Sequence, residues 1–197
     1  AEMIDPSGQT VTVRRGDIRD LSDLAYFPSL TAVSVQFQSL TSLESLPACG
    51  VEMFDVSANR LTSLSGIEQL PKLTALTADG NAVTDLTGLG RCLNVRKLSL
   101  NGANVSDLSE LRALTKLQDV TLSHCTRREL LIVLHKSSLT HLTLVGCDLR
   151  GDFFRSFDRE RALTALSLTD CELDSTSGLE DFTGLTELTV RGVSGTF

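Results

Sequence analysis

The chain has 197 residues and carries 25 acidic against 18 basic side chains, a net charge of −7. That charge is spread rather than blocked, and it leaves no basic stripe of the kind a nucleic acid would need. Hydrophobic residues make up 41% of the sequence, yet no run of them approaches the ~20 residues of a membrane helix. No signal peptide is visible.

From the N-terminus onward the chain repeats one frame. Its clearest copy spans 51–61, where Val51, Phe54, Val56 and Leu61 hold places 1, 4, 6 and 11 and Asn59 holds place 9. This is the leucine-rich repeat pattern L-x-x-L-x-L-x-x-N/C-x-L. Phe54 and Val56 alternate with Met53, Asp55 and Ser57, which marks a short strand with one buried face. Frames start at 8, 30, 51, 73, 95, 117, 139, 163 and 185, spaced by 22 with one step of 21 and one of 24. Place nine reads Gly16, Gln38, Asn59, Asn81, Ala103, Cys125, Cys147, Cys171 and Val193. An amide there can bond backbone groups that the turn leaves unpaired.

The pattern predicts one α/β solenoid over 1–197, a right-handed superhelix of about nine coils with a parallel sheet on its concave face. At roughly 4.8 Å per strand the inner face is about 40 Å long. Leu61, Leu64, Ile67, Leu70 and Leu73 recur every third position, as do Val105, Leu108, Leu111, Leu114 and Leu117. That period suits 3₁₀ turns on the convex side. Two connections differ: 128–136 and 151–160 group their apolar residues at helical spacing and predict short α-helices. The abrupt ends suggest one domain excised from a longer chain.

Five cysteines all map to inward places of the frame. Cys125, Cys147 and Cys171 take place nine, Cys92 stands where Leu70 and Leu114 stand, and Cys49 holds the same place in the short repeat. All five are expected in the core as free thiols, which favours a reducing, cytoplasmic setting. Cys125 and Cys147, as stacked neighbours, are the pair that could approach disulfide distance.

Chemistry is sparse. His124 and His141 fall at opposite ends of adjacent strands while the nearby thiols point inward, so no zinc set converges. Gly80, Gly102, Gly146 and Gly192 recur at place eight and serve strand-to-loop turns rather than a phosphate cradle. The sequon at Asn104 and the Arg150-Gly151-Asp152 tripeptide are short enough to occur by chance. The expectation is a protein that is not an enzyme, needs no cofactor and takes no small-molecule substrate.

The 22-residue spacing and the connections DLTGLGRC at 85–92 and DLSELRAL at 107–114 resemble one subgroup of leucine-rich repeat proteins. It is named for the nuclear regulator of protein phosphatase 1 and includes axonemal dynein light chain, centrosomal and ciliary proteins and internalins. The resemblance spans essentially 8–195. It implies a scaffold that holds a protein partner on its concave face, cytoskeletal, centrosomal or flagellar in the leading reading. The alternatives it implies are a subunit regulating a phosphatase-type enzyme and an internalin-like surface module. Internalins usually keep the Asn ladder, from which the later Cys places depart. The shared residues are core residues, so the resemblance speaks to fold more than to function.

Strand residues at places three, five, seven and eight face outward. Place five reads Thr12, Ser34, Asp55, Thr77, Ser99, Thr121, Thr143, Ser167 and Thr189, which leaves Asp55 as the exception in a hydroxyl row. Around it stand Phe37 and Met53, exposed and apolar, with Asp79, Lys97, Asn101 and Asp119 nearby. Apolar bulk rimmed by charge marks a partner site, so these seven form the predicted protein-binding patch. Neither nucleic acid nor membrane insertion is expected. Arg14-Arg15 and Arg96-Lys97 are the only basic pairs near this face. The last strand, Leu185–Val190, is expected to present a bare edge unless the parent chain continues.

Overall fold

The computed structural model describes residues 2–4, 9–14, 18–157 and 162–195. Its sheet has ten strands in chain order. They are β1 (Glu2–Ile4), β2 (Thr10–Arg14), β3 (Ala32–Gln36), β4 (Met53–Asp55), β5 (Ala75–Thr77), β6 (Lys97–Leu100), β7 (Asp119–Ser123), β8 (His141–Val145), β9 (Ala165–Thr169) and β10 (Glu187–Arg191). Strands β2 to β10 run parallel, one per predicted frame. This is the α/β solenoid of leucine-rich repeats. Only β1 lies outside the frames: it pairs antiparallel with β2 through Met3↔Thr12 and covers that edge.

The register places like frame positions side by side. Ser34 pairs with Asp55, Asp55 with Thr77, Thr77 with Ser99, and so on to Ser167 with Thr189. Inward places four, six and eleven stack into one continuous core, in which Leu76, Leu98 and Leu144 are fully buried. Each such leucine contributes about 1.5–3 kcal/mol on burial.

Place nine behaves as two ladders. The side-chain amide of Asn81 donates to the carbonyls of Val56 and Ala78, both at 3.0 Å, and its oxygen accepts from the Leu61 amide at 3.0 Å. Asn59 does the same with Val35, Val56 and Leu40. Gln38 reaches the Gln36 carbonyl and the Ile18 amide. In the second half the thiols of Cys125 and Cys171 donate to carbonyls instead, at 3.3 Å to Ser123 and 3.4 Å to Thr169. The place-nine Gly16 lies outside the described residues, as does Arg15; Arg14 is described in its backbone alone.

On the convex side 3₁₀ turns occupy Ser22–Tyr26, Ile67–Gln69, Leu89–Arg91, Ser109–Ala113, Phe154–Ser156 and Leu179–Asp181. The helix predicted over 128–136 is present as α1 (Arg127–Leu134). Thr126 accepts from the Glu129 amide and the Glu129 carboxylate accepts from the Thr126 amide, a complete capping box. The second predicted helix is a correction: within 151–157 the chain makes only a 3₁₀ turn, and 158–160 lie outside the described residues. There Phe153, Phe154 and Phe157 are all buried, edge-on to one another and to Phe182 at centroid distances of 4.9–6.0 Å.

Cys49 is the other correction. It is only half-buried, whereas Cys92, Cys125, Cys147 and Cys171 are buried; all five are free. Its coil is the short one and has no 3₁₀ turn. The Cys49 amide bonds the Gln69 carbonyl of the next coil at 3.3 Å, whereas the equivalent Leu70 amide closes a turn on Ile67.

Candidate functional site: the concave face

Place eight governs how each strand leaves the sheet. Every described residue there has a positive φ: 64° at Gly80, 87° at Gly102, 62° at Gly146 and 59° at Gly192, but also 55° at Phe37, 54° at Ala58, 55° at His124 and 52° at Asp170. Glycine adopts this conformation freely, whereas a bulky L-residue is strained in it. Phe37 is therefore costly where it stands, and it is not repaid by burial, being 58% exposed.

Met53, 54% exposed, opens β4 between Ala32 and Ala75 of the flanking strands. The small neighbours leave a shallow hollow of ≈ 200 Å³ beside it, lined also by Thr10, Ser34, Asp55 and Thr77. Phe37 lies beyond the strand exit and Met53 at the strand entrance, so about 16 Å of strand separates them. The two apolar groups bracket the face rather than forming one cluster. Asp55 sits between: its Oδ1 accepts from the Ser57 amide at 3.0 Å and hydroxyl at 2.6 Å, and its Oδ2 accepts from Gln36.

The remaining predicted residues form two further groups. Asp79 Oδ1 accepts from the Ser99 hydroxyl at 2.7 Å and the Asn101 amide at 2.8 Å, and the Asn101 side chain accepts from Ser123 at 3.0 Å. Ser99 and Ser123 are buried by this line of bonds along the strand exits, although their places face outward. Lys97 and Asp119 form an ion pair at 2.9 Å at the strand entrances, worth about 0–1 kcal/mol at such exposure.

Sequence reasoning missed a second hollow of ≈ 290 Å³ in the other half, where Asp119, His141, Thr143, Ser167 and Glu187 meet. It also missed Gln36, the partner of Asp55. The available signal was the register itself, since Gln36 and Asp55 are two places apart on neighbouring strands. Tyr26 and Phe27, exposed on the first convex turn, carry no frame signal at all. Among the described residues no three His, Cys, Asp or Glu side chains group so as to hold a metal ion, and no helix is long and apolar enough to cross a membrane.

This architecture and its one-sided strand surface are shared with solved leucine-rich repeat structures. Internalin C2 of Listeria monocytogenes superposes with a TM-score of 0.65 at 19% identity over 96% of this chain and 74% of its own. A leucine-rich repeat protein of Leptospira interrogans gives 0.71 at 19% identity over 89% of this chain and 46% of that one. TLR13, solved as a complex with ssRNA13, gives 0.72 at 18% identity, with 90% of this chain matched to 28% of TLR13. At these identities the likeness is one of fold. No family model and no curated protein matches the sequence.

Proposed function

We propose that the chain is a non-enzymatic protein-binding module whose partner lies across the N-terminal half of the concave face, from Met53 over Asp55 to Phe37. The observation that carries this is Phe37: a large aromatic side chain held proud of the surface in a backbone conformation that glycine fills in four other coils. Strain that folding does not need marks a place selected for something else. Asp79, Asn101, Lys97 and Asp119 extend the face toward the middle coils as a polar, largely self-satisfied rim, the usual surround of an apolar anchor. A protein surface suits this arrangement better than a nucleic acid, because Asp55, Asp79 and Asp119 would repel phosphate. The fold alone does not exclude nucleic acid, as the TLR13 complex illustrates. In its finer form the proposal is a cytoplasmic scaffold associated with the cytoskeleton, centrosome or flagellum, supported by the 22-residue spacing and by the buried thiol ladder.

The test is capture of partners from the source cell with the wild-type chain, followed by calorimetry on the partner recovered. Phe37→Ala and Met53→Ala should each weaken binding by about 1–2 kcal/mol, and Asp55→Lys should change its salt dependence. Thr143→Ala and Ser167→Ala on the far half should bind normally. The reverse pattern, with affinity lost only in those two variants, would place the partner on the second hollow and reject this site.

A further inference from the structure

Place eight contains one irregular hydrogen bond. In six coils its amide donates to the place-seven carbonyl of the next strand at 2.7–3.2 Å, as Gly80 donates to Asn101 and Gly146 to Thr169. Gly102 departs from this rule. Its amide donates at 2.7 Å to the side-chain hydroxyl of Ser123, and that hydroxyl donates at 3.0 Å to Oδ1 of Asn101. The buried Ser123 hydroxyl thus bridges the backbone nitrogen of Gly102 and the side-chain carbonyl of the residue before it.

Asparagine followed by glycine is the pair in which such a bridge has a chemical consequence. The glycine nitrogen can attack the asparagine Cγ, because it lies next to it in the chain and no Cβ crowds the approach. An amide that keeps its proton is a poor nucleophile, and a carbonyl is a better electrophile once its oxygen takes a proton. Ser123 touches both atoms, so it can accept the Gly102 proton while passing its own to Asn101 Oδ1. The chain has five asparagines, and the other four precede Arg60, Ala82, Val95 and Val105. Asn59 and Asn81 are also buried, with Nδ2 held by carbonyls. Asn101 is exposed, and its Nδ2 makes no hydrogen bond among the described residues. Asp79-Gly80 has a similar order, but the Gly80 amide is held by a backbone carbonyl, which cannot pass on a proton.

We propose that Asn101 is a site of self-catalysed deamidation in which Ser123 relays the proton. The N–Cγ bond forms as the Gly102 proton moves to Ser123 and the Ser123 proton moves to Oδ1. The adduct then expels Nδ2 as ammonia, which carries away the new hydroxyl proton, and a cyclic imide remains. Water opens the imide at either carbonyl and leaves aspartate or isoaspartate at position 101. The product sets a carboxylate beside Asp79, whose Oδ1 accepts from the Asn101 amide at 2.8 Å. The isoaspartate form also lengthens the backbone by a methylene where β6 leaves the sheet. The concave face of the middle coils therefore gains negative charge as the protein ages. This chemistry is local and independent of the Phe37 site, so each reading fails separately.

The whole chain, incubated at neutral pH, is followed by peptide mass spectrometry, with an isoaspartyl methyltransferase assay for the lengthened form. Asn101 should convert faster in the native chain than in the chain held in denaturant, while the other four asparagines stay intact. Ser123→Ala should slow the native conversion about tenfold or more and leave the rate in denaturant unchanged. Ser123→Thr keeps the hydroxyl and should keep the native rate, which separates a relay from a packing role. The inference is overturned if the native chain converts no faster than the denatured one, if Ser123→Ala converts as fast as the parent, or if Ser123→Thr is as slow as Ser123→Ala.

Discussion

Asn81 holds two carbonyls and one amide of adjacent coils, each at 3.0 Å, whereas Cys147, three frames later, offers one thiol to the Val145 carbonyl at 3.6 Å. The same place in the frame is therefore filled by amides that both donate and accept at Asn59 and Asn81, and by thiols that offer a single weak proton to one or two carbonyls at Cys125, Cys147 and Cys171. What replaces the amide there is apolar volume. The cysteines bury sulfur, α1 buries Leu130, Val133 and Leu134, and the three phenylalanine rings of the enlarged connection pack with Phe182 of the next coil. A repeat can thus exchange hydrogen bonding for packing at one place without losing its register. Thiols so placed are poor acids: the hydrogen bond that the Cys147 thiol makes to Cys125, with burial adding to it, pushes Cys147 up to about 11, and burial beside Glu68 pushes Cys92 up to about 11.

Packing sets the scale against which these ladders are measured. Leu98→Ala, in a fully buried middle coil, should cost about 3–5 kcal/mol. Leu188→Ala, at the half-exposed edge, should cost about 1 kcal/mol, since solenoid stability is a nearest-neighbour sum. Denaturant melts of both variants check this, and equal losses would mean that the edge is covered.

The ladders themselves separate at the next level. Asn81→Ala leaves the Leu61 amide and the Ala78 carbonyl without this partner in the core, while the Val56 carbonyl keeps its bond from Asn59, and should cost about 3 kcal/mol. Cys147→Ala removes one weak donor and a sulfur atom and should cost about 1–2 kcal/mol. Similar melting shifts for the two would erase the contrast between the halves.

Place eight tests the strain argument in both halves. Phe37→Gly should raise stability by about 1 kcal/mol while weakening partner binding at least as much as Phe37→Ala does. Gly146→Ala should lower stability by about 1–2 kcal/mol, because φ is 62° there and the added Cβ would lie 2.9 Å from His124 Nδ1. A Phe37→Gly variant no more stable than the parent would remove the main support for the proposed site. Labelling comes next: Cys92 and Cys147 should react slowly with a thiol reagent in the native protein at neutral pH and at once when it is unfolded.

The smallest effect lies on the outer surface of the second half. The bidentate hydrogen bond from Arg150, at 2.8 and 2.6 Å, lowers Asp148 to about 2. A carboxylate depressed on folding contributes stability above its ordinary value of 3.8, and this is lost as the pH falls toward about 2. Arg150→Ala should return the Asp148 titration, followed by NMR, toward that ordinary value.

The sequence by itself determined the coil count, the strand positions, the register, the buried side of every strand and the three-residue period of most connections. These follow from local alternation and from a spacing that repeats, and stacking identical units adds no new choice. Phe37 and Met53 were legible as exposed for the same reason. What only the tertiary structure decided depends on neighbours that the frame does not name. The rings beside the 3₁₀ turn at Phe154–Ser156 are covered by Phe182 arriving one coil later. The half-exposure of Cys49 comes from a missing residue between it and Val51, and the burial of Ser99 comes from Asp79 one strand away. Each of these is a side-chain relation between coils, and a one-dimensional pattern of apolar places fixes only which side of the chain is buried, not what meets it there.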